Sequence, residues 1–148
     1  MKKAFFVIVC SLAAAAPLRA QDYNGGAGLW LGAYDAGLCF KYNLNPVTST
    51  EWLLTFPYDG AVLLTGLYEH NIPVIDRGFH FYYGMGGHLG MHSTSKKARI
   101  GVDGITGLEY SFAETPLALS LDYRPGLDLI RSLRLRWDNI GVGIKVTF

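Results

Sequence analysis

From Asn24 to Phe148, large apolar side chains alternate with small, polar or ionisable ones in runs separated by Gly, Pro, Asn and Asp. A period of two belongs to the β-strand, whose successive side chains point to opposite faces. The longest run is Phe79 to His92. Its odd positions are Phe79, Phe81, Tyr83, Met85, Gly87, Leu89 and Met91, and its even positions are His80, Tyr82, Gly84, Gly86, His88, Gly90 and His92. At about 3.3 Å per residue it extends roughly 46 Å, long for a globular strand.

The same rhythm predicts further strands on either side. Gly26 to Tyr34 is a first strand, closed by Asp35-Ala36-Gly37, after which Leu38, Phe40, Tyr42 and Leu44 alternate with Cys39, Lys41 and Asn43. Asn45-Pro46 with Thr48-Ser49-Thr50 predicts a turn; Trp52, Leu54, Phe56 and Tyr58 then oppose Glu51, Leu53 and Thr55. Asp59-Gly60 is a hairpin signal leading to Val62, Leu64, Gly66 and Tyr68 against Leu63, Thr65, Leu67 and Glu69. His70 to Gly78 reads as a connection, and Ser93 to Lys97 as a polar loop. Ile100 to Phe112 and Leu117 to Arg124 continue the alternation across Glu114-Thr115-Pro116, and Pro125-Gly126 kinks or ends the latter strand. Residues 127 to 137 are ambiguous, with a phase break at Asp138-Asn139 before a last strand, Ile140 to Phe148. The count is eight if Asp35 to Gly37 is a turn and seven if it is a bend. An even count returns both ends of the chain to one side, as in bacterial outer-membrane barrels, so eight is expected.

Composition narrows the class. The chain has 148 residues, half of them hydrophobic and 14% aromatic, with 18 glycines and 17% charge; it is too apolar for disorder and too interrupted for helices. Lys2 and Lys3, the apolar stretch Ala4 to Leu18, and Leu18-Arg19-Ala20 predict a secretory signal peptide over residues 1–20, with the barrel domain over residues 21–148. Val9 before Cys10 argues against a lipoprotein. Removing Lys2, Lys3 and Arg19 from the 13 basic residues leaves 10 against 12 acidic ones, a formal charge of about −2. That balance offers no basic stripe for nucleic acid. Cys39, the single cysteine left, has no disulfide partner and reads as a small buried residue.

Charge placement decides which face of the strands is inside. Lys41, Glu51, Glu69, His80, His88, Asp103, Glu109, Asp122, Arg124 and Lys145 all sit opposite the large apolar side chains. Eight strands enclose an interior just wide enough for side chains to fill. Trp52, Phe56, Phe79, Phe81, Tyr83, Tyr110, Tyr123 and Phe148 together would overfill it, so the charges belong inside, where acids and bases pair. The fold class expected is all-β, an eight-stranded antiparallel up-and-down transmembrane β-barrel whose closure satisfies every backbone group in lipid. Tyr42, Trp52, Tyr58, Tyr68, Phe79, Phe112 and Tyr123 suit its interfacial aromatic girdles. Of the charged lumen set, Lys41, Glu69, His80, Glu109 and Lys145 are expected toward the periplasmic end, with Asp122 and Arg124 nearer the middle.

The segments Leu67-Tyr68-Glu69, Tyr82-Tyr83-Gly84-Met85-Gly86-Gly87-His88, Gly101-Val102-Asp103-Gly104, Gly107-Leu108-Glu109-Tyr110 and Leu121-Asp122-Tyr123-Arg124-Pro125 carry a resemblance. Over most of residues 26 to 148 the chain resembles the small outer-membrane β-barrel domains of Gram-negative bacteria, in a branch without an established biochemical role. The resemblance implies fold and a location in the bacterial outer membrane, and it supplies no catalytic residues. The strand ending at Phe148 resembles the signal that such proteins present to the barrel assembly machinery.

These residues bear on several chemistries. His88 and His92 stand about 13 Å apart along a strand, too far for one metal ion, and lumen hydrogen bonding is the better reading. His92-Ser93 supplies pieces of a triad for a lipid A-modifying enzyme, but neighbouring residues point to opposite faces, and there is neither a Gly-x-Ser-x-Gly nor a His-x-Ser-Asn pattern. Gly84-Met85-Gly86-Gly87-His88-Leu89 lacks the last glycine of a dinucleotide loop; these glycines instead let lumen side chains such as Tyr82 lie on bare backbone. Neither catalytic, cofactor-binding nor metal-binding residues are assigned. The expectation is a structural or interaction barrel with a salt-bridged lumen; the alternatives are a lipid A-modifying enzyme and a narrow pore for protons or small solutes. Outer-membrane lipid and lipopolysaccharide are the expected partners, met by loops around Asp59-Gly60, Ser93 to Ala98 and Gly126 to Ser132, with Lys96, Lys97 and Arg99 available to lipid phosphates.

Overall fold

A computed structural model describes residues 23–74, 78–130 and 133–148. The expected signal peptide at residues 1–20 lies outside them. Ten β-strands follow in order: β1 (Gly25–Gly32), β2 (Asp35–Asn45), β3 (Thr48–Pro57), β4 (Ala61–Pro73), β5 (Phe79–His92), β6 (Ala98–Ser111), β7 (Leu117–Tyr123), β8 (Gly126–Asp128), β9 (Arg134–Arg136) and β10 (Ile140–Thr147). Every pairing is antiparallel. Strands β1 to β6 each pair with the next, β6 pairs with both β7 and β8, β10 runs beside β7, and β10 closes on β1.

Ten strands make eight staves. β7 and β8 are one stave interrupted at Arg124-Pro125, because proline has no N–H for the ladder. Register is kept across the break: Thr106 faces Tyr123 and Asp103 faces Gly126. The Gly104 N–H donates to the Pro125 carbonyl at 2.8 Å and the Arg124 N–H to the Asn139 carbonyl at 2.8 Å, so the wall stays bonded. β9 and β10 are the eighth stave. There the register slips by one residue between the Gly126–Arg136 and Tyr123–Ile140 pairs, a bulge that accounts for the phase break at Asp138-Asn139.

The chain turns at Ala33-Tyr34, and Asp35, Ala36 and Gly37 belong to β2, opposite Pro57, Phe56 and Thr55. The turn expected at Asp35 to Gly37 therefore lies two residues earlier, and the count remains eight. The second hairpin turns at Pro46-Val47, where Asn45 Oδ1 accepts the N–H groups of Val47 and Thr48 at 3.0 and 2.9 Å. Thr48, Ser49 and Thr50, expected in that turn, are instead the start of β3. At the Asp59-Gly60 hairpin, Gly60 has a φ of 84°, which glycine adopts without strain, and Asp59 Oδ1 accepts the Ala61 N–H at 3.2 Å. β4 runs on through Asn71, Ile72 and Pro73, paired with Tyr82, Phe81 and His80, so the connection expected from His70 onward begins only after Pro73.

The two faces are sharply unlike. Leu29, Leu38, Phe40, Trp52, Leu54, Leu64, Leu89, Leu108, Leu119, Val142 and Ile144 are exposed on the outer wall. Lys41, Glu51, Glu69, Glu109, Asp122 and Lys145 are 2% exposed or less and fill the inside. Among the described residues no helix is long and apolar enough to cross a membrane, a criterion that says nothing of a β-barrel.

Candidate functional site in the lumen

The lumen is layered, and the layering follows from register. β2 contributes Lys41, Cys39 and Asp35 in turn from the end where Asn24 meets Phe148, β3 contributes Ser49, Glu51 and Leu53, β4 Asn71, Glu69 and Leu67, β5 His80, Tyr82 and His88, and β6 Glu109, Ile105 and Asp103. Charges thus gather toward both ends of the barrel. Between them Trp30, Cys39, Leu53, Leu67, Tyr82 and Ile105 pack as an apolar cluster.

The cluster nearer Asn24 and Phe148 holds Lys41 and Lys145 among three glutamates. Lys41 Nζ lies 3.0 Å from Glu69 Oε2 and 3.7 Å from Glu109 Oε2; Lys145 Nζ lies 2.7 Å from Glu109 Oε2 and 3.5 Å from Glu51 Oε1. Lys41 also stands 4.2 Å above the Tyr82 ring, a cation–π contact. Ser49 Oγ donates to Glu69 Oε2 at 3.1 Å and accepts from Asn71 Nδ2 at 2.9 Å. Tyr23, just ahead of β1, donates its hydroxyl to Glu109 Oε1; burial, and then the negative Glu109 beside it, push its phenol well above the ordinary range. Tyr23, Asn24, Asn43, Asn45, Asn71, His80 and Glu109 line a cavity of about 240 Å³ at this mouth.

A second group lies against the apolar layer. Trp30 Nε1 donates to Asp122 Oδ2 at 2.9 Å, Arg124 pairs with the same oxygen at 3.2 Å, and the Arg124 guanidinium stacks 3.9 Å over the Trp30 ring. The ring fits because β1 and β10 carry glycine beside it: a Cβ at Gly32 or Gly141 would fall 2.1 or 2.4 Å from Trp30 ring carbons.

The third group holds the opposite end. Both nitrogens of the buried His88 ring face carboxylates, Nδ1 at 2.6 Å from Asp103 Oδ2 and Nε2 at 2.8 Å from Asp128 Oδ1, the latter off hydrogen-bond alignment. Arg136 reaches Asp103 at 3.4 Å, and Arg99 bridges Asp128 at 2.9 Å and Asp59 at 3.1 Å. The residues expected to share the lumen thus form three groups, with His80 half-buried at the terminal mouth and His88 in the far one. Arg99, expected to be available to lipid phosphates, is occupied by Asp59 and Asp128; Lys96 and Lys97 are exposed.

His92 accepts the Ser95 N–H on Nδ1 at 3.3 Å at the edge of its loop, away from the aspartates that hold His88. Among the described residues no three His, Cys, Asp or Glu side chains converge as a metal site. Gly84 and Gly86 serve close strand approach rather than ring packing: a Cβ there would fall 2.1 and 1.9 Å from β4 carbonyl oxygens. The glycine under the Tyr82 ring is Gly107, on β6.

Trp30, Tyr23, Ser49, Asn71, Asp128 and Arg136 join the lumen beyond the set expected from the sequence. Trp30 was legible by phase, since it shares parity with Gly28 and Gly32 against Leu29 and Leu31. Asp128 and Arg136 lie on the interrupted staves, where the pattern fails. Comparison of the sequence with protein-family models and with curated proteins returns no match.

Proposed function

We propose that this chain is a bacterial outer-membrane protein whose barrel spans the lipid bilayer and whose lumen is sealed by ion pairs, with a structural or interaction role and no catalysis. The observation that carries this reading is inverted polarity. In water, a wall of exposed Leu, Ile, Val, Phe and Trp around an interior of buried Lys, Glu, Asp and Arg exposes far more contiguous apolar surface than a soluble monomer does. In lipid the same arrangement is favourable, and barrel closure leaves no unpaired strand edge. β5 and β6, at 14 residues each, exceed the 9–11 that a tilted spanning strand needs.

Residues 1–20 serve as the export signal in this reading. The strand ending at Phe148 meets the assembly machinery, both chain ends face the periplasm, and the exposed Lys96 and Lys97 face lipopolysaccharide. Fractionation with the outer membrane, together with heat-modifiable migration on a gel, tests it. Recovery as a soluble periplasmic protein whose migration does not change on heating overturns it.

A further inference from the structure

The cluster nearer Asn24 and Phe148 is unbalanced in charge. Lys41 and Lys145 face Glu51, Glu69 and Glu109, all of them buried. His80, opposite Glu109 in the ladder, lines the open cavity, and the next buried charged groups, Arg124 and Asp122, pair with each other and cancel. Tyr23 donates to Glu109 without adding charge, and Tyr82 offers Lys41 only its ring. One negative charge is left over where water is scarce.

The excess can be located. Glu109 is met by both lysines and by Tyr23. Glu69 engages Lys41 and Ser49 through Oε2, and Glu51 engages Lys145 through Oε1. The two remaining oxygens, Glu51 Oε2 and Glu69 Oε1, are fully buried without a partner. Glu69 pairs with Ser49 and Leu67 with Glu51, so the two glutamates are diagonal neighbours on the lumen face of adjacent strands, within reach of each other's side chains. Two ionised carboxylates are both acceptors and repel at that separation; one proton makes a donor and an acceptor of them.

We propose that Glu51 and Glu69 together form a proton-binding site in the lumen, holding one proton between them and so bringing the five-residue cluster to zero net charge. The proton comes from solvent, stays bonded to one carboxyl oxygen and is accepted as a hydrogen bond by the other group. Its entry is from the cavity at this mouth: Asn71, in the cavity wall, donates to the Ser49 hydroxyl and so holds it in place, and that hydroxyl, donating to Glu69, is the group that passes the proton in. Leu53, Leu67 and Cys39 close the other side, so exchange runs through one mouth. The site goes beyond the outer-membrane reading and stands on the lumen geometry alone.

Infrared spectroscopy of the purified, folded full chain in detergent at neutral pH tests the site. The expected result is a carbonyl band of a protonated, hydrogen-bonded carboxylic acid that shifts in deuterated water. Either Glu51→Gln or Glu69→Gln abolishes it, and the surface control Glu114→Gln leaves it unchanged. Because each variant removes one member of the pair, whichever of them folds decides the matter. Ser49→Ala keeps the band but slows its deuterium shift roughly tenfold, the factor that corresponds to one lost hydrogen bond of about 1.4 kcal/mol. A folded wild-type protein without the band overturns the proposal, as does a band that survives in a folded Glu51→Gln or Glu69→Gln variant; an unslowed shift in Ser49→Ala overturns the route. These outcomes are independent of fractionation, so failure here is distinguishable from failure of the membrane reading.

Discussion

Lys145 sits between Glu109 and Glu51 with its side chain fully enclosed, and its value to the barrel lies in what its loss would strand. A buried ion pair gains little over a well-packed apolar pair, but removing one partner leaves the other charge unsolvated. Lys145→Ala is therefore expected to destabilise the folded barrel by about 3–5 kcal/mol, read as a lower midpoint of urea unfolding in detergent. Glu69→Gln, which conserves shape and leaves the lysines paired to Glu51 and Glu109, is expected to stay within about 1 kcal/mol of wild type in the same assay. A packing test uses Gly107, where an added Cβ would lie 2.7 Å from the Tyr82 ring and from the Leu121 carbonyl. Gly107→Ala should cost about 1–3 kcal/mol by overpacking, again as a shift in the urea midpoint. Parity along each strand was enough to assign the charged residues to one face. Their partners were not legible, because pairing depends on which staves are neighbours across the lumen: Lys41 stands opposite Glu51 in the ladder yet bridges to Glu69 and Glu109. At the turn, the Tyr34 hydroxyl donates to Asp138, and that bond raises its phenol above the usual range, a contact spanning more than a hundred residues that no local pattern carries.

Among the elements, the short hairpin of β8 and β9 is the least secured part of the wall. Among the described residues β8 shares three paired positions with β6, and β9 pairs with β8 alone. What fastens it from within is the far cluster, in which Asp128 and Arg136 of the hairpin meet His88, Asp103 and Arg99 of the barrel. His88→Ala removes the ring between Asp103 and Asp128 and should loosen the hairpin without opening the other staves. The expected outcome is limited proteolysis confined to residues 124–138 and roughly tenfold faster than in wild type, since leaving the buried Asp128 oxygen without the ring nitrogen 2.8 Å away costs about 1–3 kcal/mol; cleavage spread evenly over all loops would contradict it. Here the sequence was only half legible. Pro125 and the break at Asp138-Asn139 marked the interruption, but three-residue strands are too short for alternation to declare itself, and only the closure of the barrel assigns them to staves. The turn at Ala33-Tyr34 was hidden for a different reason: it carries no Gly, Pro or Asn, whereas the neighbouring Asp35-Ala36-Gly37 does.

For the molecule as a whole, the sealed lumen and the apolar wall each lead to a measurement. An apolar layer, with the Asp122–Arg124 pair against it, stands between the charged clusters at the two ends, so the purified protein in planar bilayers should show no discrete channel openings; openings that change in Glu109→Gln would make the lumen a pore. The wall is tested at Ile144, half exposed and flanked across the ladders by Leu29 and Leu119 near the middle of their strands. The physical difference between the two possible surroundings is large. An arginine on the lipid face at the bilayer midplane costs about 2–4 kcal/mol, whereas an exposed substitution facing water typically changes stability by no more than about 0.5 kcal/mol. Ile144→Arg should therefore lower the stability of the barrel folded in lipid vesicles by about 2–4 kcal/mol, and Leu44→Arg, just before Asn45 at the end of β2, by about 0–1 kcal/mol. A depth-dependent penalty of this kind requires a hydrocarbon layer around the middle of the barrel. Equal and small effects at both positions, measured as urea midpoints in vesicles, would mean that water rather than lipid meets the wall.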